Sequence, residues 1–260
     1  MATILLGSIL LEPNRWAKAK TPTIRVSEWA ARAKDAGIDG IELWENHWRM
    51  ADEAERQALK ASKMVRYYNT YAPFDDRPES RAARKAAADA ARELGAVGVK
   101  FNVGSDKNRR DEYLRVAEDW ARSLPASCRA LCECHPGTVL ETPEAAAEAF
   151  PKWPPERVAA IVHPFTQSPE RLGDWVRLLG PRVVHGHVQI RTEKDVLVRL
   201  DRKPREAEAA LAALQPLLKQ MTFTLEFTEG TRTPDDKPEV LFRNALADLE
   251  FLRKRLPPGA

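Results

Sequence analysis

The chain predicts a closed (β/α)8 TIM barrel, on three observations. Its 260 residues suit one such barrel. Eight short apolar segments alternate with longer amphipathic stretches and no linker separates them, so residues 1–260 read as one domain. Within several apolar segments one face is polar and the other apolar. That split suits a barrel with a polar lumen near its mouth, whereas the strands of an open doubly wound sheet are apolar on both faces.

The first segment, residues 4–10, lies in MATILLGSILLEP, which lacks the basic start and small-residue cleavage pattern of an export signal and therefore reads as a strand. An amphipathic stretch over 26–36 leads to a strand at 40–44, where Glu42 and Trp44 oppose Ile41 and Leu43. The third strand, 64–68, precedes a helix over 80–94. The fourth, 97–103, sets Lys100 and Asn102 against Val97, Val99, Phe101 and Val103. A helix over 112–123 leads to the fifth strand at 130–134. The sixth, 158–163, is followed by a helix over 169–179, and the seventh, 182–190, by one over 206–220. In the eighth, 222–227, Thr222, Thr224, Glu226 and Thr228 share a face opposite Phe223, Leu225 and Phe227. A last helix spans 238–255.

Composition narrows the classes of function. Hydrophobic residues make up 43% and charged residues 30%, the balance of a globular protein rather than a disordered one. No apolar run reaches bilayer length. The net charge of +3 is spread without single-sign blocks; a nucleic-acid partner is not indicated, and an anionic small substrate such as a sugar phosphate suits the balance equally well. Three clustered cysteines are too few for a disulfide framework and point to the cytoplasm.

Four segments end at or near a metal-ligand residue type: Glu133, His163, His187 and Glu226. Strand ends of a parallel barrel converge on one face, so two imidazoles and two carboxylates meet there as a cage for one divalent metal ion. The five histidines, His47, His135, His163, His185 and His187, all fall at or just beyond a strand end. In VVHGHVQIR, residues His185, His187, Gln189 and Arg191 share the inner face. His187 lies nearer the strand end and is the better ligand; His185 is a deeper hydrogen-bonding group or a satisfied interior histidine. In LCECHPG, Glu133 and His135 point inward while Cys132 and Cys134 point toward the helices. Buried Glu133 and Glu226 each need a cationic partner, met by the metal or by a lumen Arg or Lys.

The chain resembles the xylose isomerase-like TIM-barrel superfamily, which includes sugar epimerases, hydroxypyruvate isomerases, inosose dehydratases and endonuclease IV. The resemblance rests on AGIDGIELW, ELGAVGVKFNVG, LCECHPGTVLET, HGHVQIR and FTLEF, in that order. It implies one Mn, Mg, Co or Zn ion bound by Glu, Asp, His and Glu, at positions matching Glu133, His163, His187 and Glu226. The sixth strand departs from the family: IVHPFTQ has His163 in place of Asp and Thr166 where a His is common. Gln189-Ile190 replaces the usual Lys-Asp. An imidazole in place of a carboxylate favours Mn, with Fe, Co or Zn as alternatives, over Mg.

The resemblance further implies an isomerase or epimerase of a sugar or related polyhydroxy ketone. Glu133 and Glu226 would pass a proton across a metal-stabilised enediolate. Trp44, His47, Lys100, Asn102, His135, His185 and Arg191 are the candidates for substrate contact, with Lys100 and Arg191 holding an anionic group or neutralising the carboxylates. A lyase or dehydratase on the same scaffold and a non-catalytic ligand- or partner-binding protein are the alternatives, and a homo-oligomer is open. An endonuclease IV-like trinuclear zinc site needs more histidines than the chain has.

Overall fold

The structure, a computed structural model, describes residues 2–256. The barrel strands are β1 (Ile4–Gly7), β2 (Gly40–Trp44), β3 (Val65–Asn69), β4 (Gly98–Phe101), β5 (Arg129–Glu133), β6 (Val158–Val162) and β7 (Val183–Val188). A small antiparallel hairpin follows, β8 (Ile190–Arg191) and β9 (Leu197–Val198), and β10 (Thr222–Leu225) completes the barrel. All eight barrel strands pair in parallel, each with its neighbour in sequence order, and β10 closes onto β1 through Ile4–Phe223 and Leu6–Leu225.

Around them lie α1 (Val26–Asp35), α2 (Glu45–Arg49), α3 (Glu53–Ser62), α4 (Pro78–Leu94), α5 (Arg110–Ser123), α6 (Pro143–Ala149), α7 (Pro169–Leu179), α8 (Pro204–Ala213) and α9 (Pro238–Arg255). Among the described residues, no helix is long and apolar enough to cross a membrane. Side-chain caps start several helices. Asp52 accepts from the Glu55 N–H at 2.7 Å, and Thr142 and Ser168 do the same for α6 and α7. Proline occupies the first turn of α4, α6, α7, α8 and α9, where its missing N–H costs nothing.

Several boundaries differ from the periodicity. The 4–10 segment turns into a 3-10 helix at Ser8. The 182–190 segment stops as a barrel strand at Val188, and Ile190 leaves to pair with Val198. The helix expected to reach 220 ends at Ala213. Helices α2, α3 and α6 have no counterpart in the sequence pattern. Helix α2 is five residues long, and α3 buries only Glu55 and Leu59, so neither carries an apolar stripe.

Two apolar layers hold the barrel. The larger fills the space between the strands' outer faces and the helices, and it contains Cys128, Cys132 and Cys134. Burial pushes the Cys128 thiol up to about 12 and raises Cys132 well above its ordinary value, so both are inert packing groups. The smaller layer lies in the lumen: Leu5, Tyr67, Leu131, Ala159 and Ile161. Leu5, Tyr67 and Leu131 come from alternate strands, as layered barrel packing requires. Gly98 makes room for them, since a Cβ there would sit 2.7 Å from Leu131 Cδ1. Two residues further along the strands the same face becomes polar, so Leu131 leads to Glu133, Ile161 to His163 and Tyr67 to Asn69.

Thr228, expected on the lumen face, instead turns away after β10 ends and donates to Asp248 Oδ2 on α9. Asp248 also accepts from the Leu200 N–H at 2.7 Å. Burial pushes its carboxyl up to about 7 from an ordinary 3.8. A carboxyl pKa raised on folding favours the folded state at acid pH. That advantage is lost as the pH climbs from 3.8 through 7, by roughly 1.4 kcal/mol for each tenfold fall in proton concentration. Asp248→Asn should therefore gain stability relative to the parent between pH 5 and pH 8. Denaturant titrations at both pH values check this, and an equal stability difference at the two would contradict it.

Candidate metal centre

Glu133 at the end of β5, His163 just past β6, His187 in β7 and Glu226 just past β10 turn their side chains to one point above the lumen floor. Each offers a ligand atom, and the four atoms lie within 4.8 Å of one another. All four residues are buried. His163 Nε2 is 2.8 Å from Glu133 Oε1, and His187 Nδ1 is 3.0 Å from the same oxygen and 3.4 Å from Glu226 Oε1. Two imidazoles and two carboxylates at this spacing form a donor set that could hold one divalent ion.

The donors are themselves held. Glu42 Oε2 lies 3.2 Å from His187 Nε2, while Thr224 Oγ1 donates to that oxygen at 2.8 Å and Asn69 Nδ2 to Oε1 at 3.0 Å. The carboxylate fixes the proton on Nε2 and leaves Nδ1 turned toward Glu133 and Glu226, the orientation a metal ligand needs. Lys100 Nζ and Asn102 Nδ2 both lie 2.7 Å from Glu133 Oε2, so Oε1 is the oxygen that faces the two rings. Gln189 spans the other side, with Nε2 2.9 Å from His163 Nδ1 and 3.0 Å from Glu226 Oε2.

Electrostatics follow from this crowding. Burial opposes charge on Glu133, yet Lys100 and hydrogen bonds from His163 and His187 outweigh it and hold the carboxyl well below the usual range. Burial likewise opposes charge on His187, and Glu226 and Glu42 overcome it, raising the imidazolium well above its ordinary value. The carboxylates around His187 thus favour the protonated ring.

The other sequence-derived candidates divide into two groups. Asn102, His135 and Arg191 line a cavity of about 560 Å³ above the four donors, together with Glu133, Gln189 and Glu226. His135 Nδ1 donates to the Pro136 carbonyl at 2.6 Å, and Arg191 pairs with Asp195. Trp44, His47, Lys100 and His185 do not line it. Lys100 is committed to Glu133 and covered by the Tyr71 ring at 4.2 Å. His185 sits one layer deeper, bonded through both nitrogens to Thr222 and Thr224, and burial lowers its pKa. Trp44 is buried against His47. His47 belongs to a separate chain: the Trp44 N–H donates to Ser8 Oγ, Ser8 donates to His47 Nδ1, and His47 Nε2 donates to Glu12. Glu12 also accepts from the Thr23 and Asn14 N–H groups and is held down to about 2, burial notwithstanding.

Residues without an assigned role in the sequence reading also reach the site. Glu42 meets the criterion that singled out Glu133, an inward carboxylate near a strand end that needs a partner. Trp16, at the end of a 3-10 turn (Pro13–Trp16), and Tyr71 and Arg232, on loops, lie outside the strands and helices that periodicity marks, and line the cavity mouth.

The whole chain matches solved structures of the same architecture. The probable 3-DHS dehydratase AsbF of Bacillus anthracis is 16% identical with a TM-score of 0.70, covering 98% of this chain and 100% of its own. A xylose isomerase-like TIM barrel protein from Mycobacterium smegmatis, in complex with magnesium, is 12% identical with a TM-score of 0.65, covering 99% and 98%. The fold is that of the xylose isomerase-like barrels. D-psicose 3-epimerase from Clostridium cellulolyticum H10, with D-tagatose, is 12% identical with a TM-score of 0.68, covering 99% and 100%. No family model and no curated protein matches the chain.

Two outcomes follow for a barrel with these donors. Metal binding must displace the His187 proton, so affinity for Mn should rise from pH 6 to pH 8 with proton release. Calorimetry in buffers of different ionisation enthalpy measures this, and a pH-independent affinity would rule it out. Glu42→Gln should weaken Mn binding by about 10- to 100-fold by releasing the His187 tautomer. A chelator competition titration reads the loss, with the melting curve of the metal-free variant as the folding control.

Proposed function

We propose that the protein is an isomerase or epimerase of a sugar or related polyhydroxy ketone, working with one divalent metal ion held by Glu133, His163, His187 and Glu226. One observation carries the reading: these four donors converge beneath an open cavity onto which both carboxylates face. The donor set favours manganese, with iron, cobalt or zinc as alternatives. A bound divalent cation supplies a Lewis acid for the oxygens of the substrate.

The chain's own groups handle the proton. Glu226 faces the cavity with Gln189 on Oε2 and His187 near Oε1, fewer anchors than Glu133 has. It removes the proton from the carbon beside the carbonyl. Glu133, braced by Lys100 and Asn102, faces the same space from β5 and passes on to the enediolate a proton drawn from the Lys100 ammonium 2.7 Å away. The proton on Glu226 then leaves to solvent in the open cavity and Lys100 regains one. The fold shared with D-psicose 3-epimerase supports this reading.

His135 favours a second reading. Its Nδ1–H is held by the Pro136 carbonyl, which leaves Nε2 to exchange a proton in the cavity. With proton removal by Glu226, a protonated His135 would let a β-hydroxyl leave as water, a dehydratase reaction. The dehydratase likeness supports it at the level of the fold.

Mn-loaded protein incubated with a panel of ketoses in D2O separates the two by NMR. Deuterium beside the carbonyl without loss of water supports the isomerase, and an unsaturated product the dehydratase. Glu226→Gln, assayed at metal concentrations that refill the site, should lower either rate by about 100-fold or more. Undiminished turnover in that variant would refute Glu226 as the base.

A further inference from the structure

The cations in and around the cavity are not equivalent. Lys100 is paired with Glu133 at 2.7 Å and Arg191 with Asp195 at 2.9 Å. Arg15, fully buried beneath the mouth, is paired with Asp236 at 2.6 Å. Arg232 lines the same cavity and has no carboxylate partner among the described residues. Its guanidinium lies over the Trp16 ring at 4.2 Å, so the plane is held and its N–H edge stays free. Trp16 is steadied in turn by Phe227, with ring centroids 5.5 Å apart.

The backbone reinforces this placement. Arg232 has φ of 63°, a left-handed conformation uncommon for a residue other than glycine. Its N–H donates to Asp236 Oδ2 at 2.8 Å, the same carboxylate that Arg15 grips through both oxygens. Asp236 therefore spends its charge on Arg15 and its geometry on Arg232. A divalent ion held at the four donors would, with Lys100, balance the three carboxylates Glu42, Glu133 and Glu226. Arg232 would then be left without a compensating charge in the cavity.

We propose that Arg232, stacked on Trp16, is an anion subsite at the mouth of the cavity, and that the substrate is a polyhydroxy ketone ending in a phosphate or a carboxylate. The carbonyl end lies at the metal donors and the anionic end at the guanidinium, which forms charge-assisted hydrogen bonds to it. This rests on the metal-dependent reading above and names its substrate class.

Calorimetric titrations of D-ribulose 5-phosphate, of the keto acid in which C5 of D-ribulose is a carboxylate, and of D-ribulose itself test it, using wild-type, Arg232→Gln and Arg232→Lys proteins, each Mn-loaded and metal-free. At least one anion should bind the Mn-loaded wild type about tenfold or more tighter than D-ribulose. Arg232→Gln should abolish that preference and Arg232→Lys keep part of it, with Mn affinity unchanged in both. The more strongly affected probe, phosphate or carboxylate, identifies the anion. Anions binding no tighter than D-ribulose, or a preference that survives in Arg232→Gln, would overturn the subsite. An Arg232-dependent preference in protein that takes up no Mn would keep the subsite and overturn the metal reading alone.

Discussion

Three carboxylates, Glu42, Glu133 and Glu226, are buried around a single imidazole, and most of the lumen is arranged to make that tolerable. Like charges in a medium of low dielectric repel strongly and are stripped of water. Each oxygen must therefore find a donor or a cation. Lys100 is drawn fully inside to meet Glu133, and Thr224, Asn69, Asn102 and Gln189 all turn their donors inward. Asn69 even leaves its own Oδ1 without a partner while giving Nδ2 to Glu42. What remains after these contacts is an excess of negative charge centred on His187, met by a proton or by a metal ion.

A second buried chain sets the mouth as the first sets the floor. Ser8, His47 and Glu12 link the ends of β1 and β2 to the loop that carries Trp16. Glu12 gathers the backbone of residues 14 and 23 as well, so the loop between β1 and α1 is tied at both ends. The histidine read as a substrate contact thus acts at one remove, by fixing the strand-end loop from which an aromatic wall rises.

The barrel and its inward face were legible because strand parity is a hard geometric rule. The alternation that put Lys100, Glu133, His187 and Glu226 on one face depends only on the pleat. Depth along the strand was less legible. His185 and His187 are two residues apart and share a face, yet one is sealed between threonines and the other turns to the carboxylates. Parity also fails once a strand ends, as Thr228 shows by swinging out to Asp248. Trp16 ends a 3-10 turn and Tyr71 and Arg232 lie on loops, where neither the period of two nor that of 3.6 applies. Their proximity follows only from the closed ring.

The Arg15–Asp236 pair joins positions 221 apart in sequence, across the seam where the first and last strands meet. During synthesis Arg15 emerges 221 residues before Asp236, so the rim of the cavity cannot assemble until the last barrel strand has been made. A nascent chain lacking its last quarter would hold Glu133, His163 and His187 without Glu226 and without Arg232. The convergence of these side chains is therefore a property of the closed ring, absent from every shorter intermediate on the ribosome.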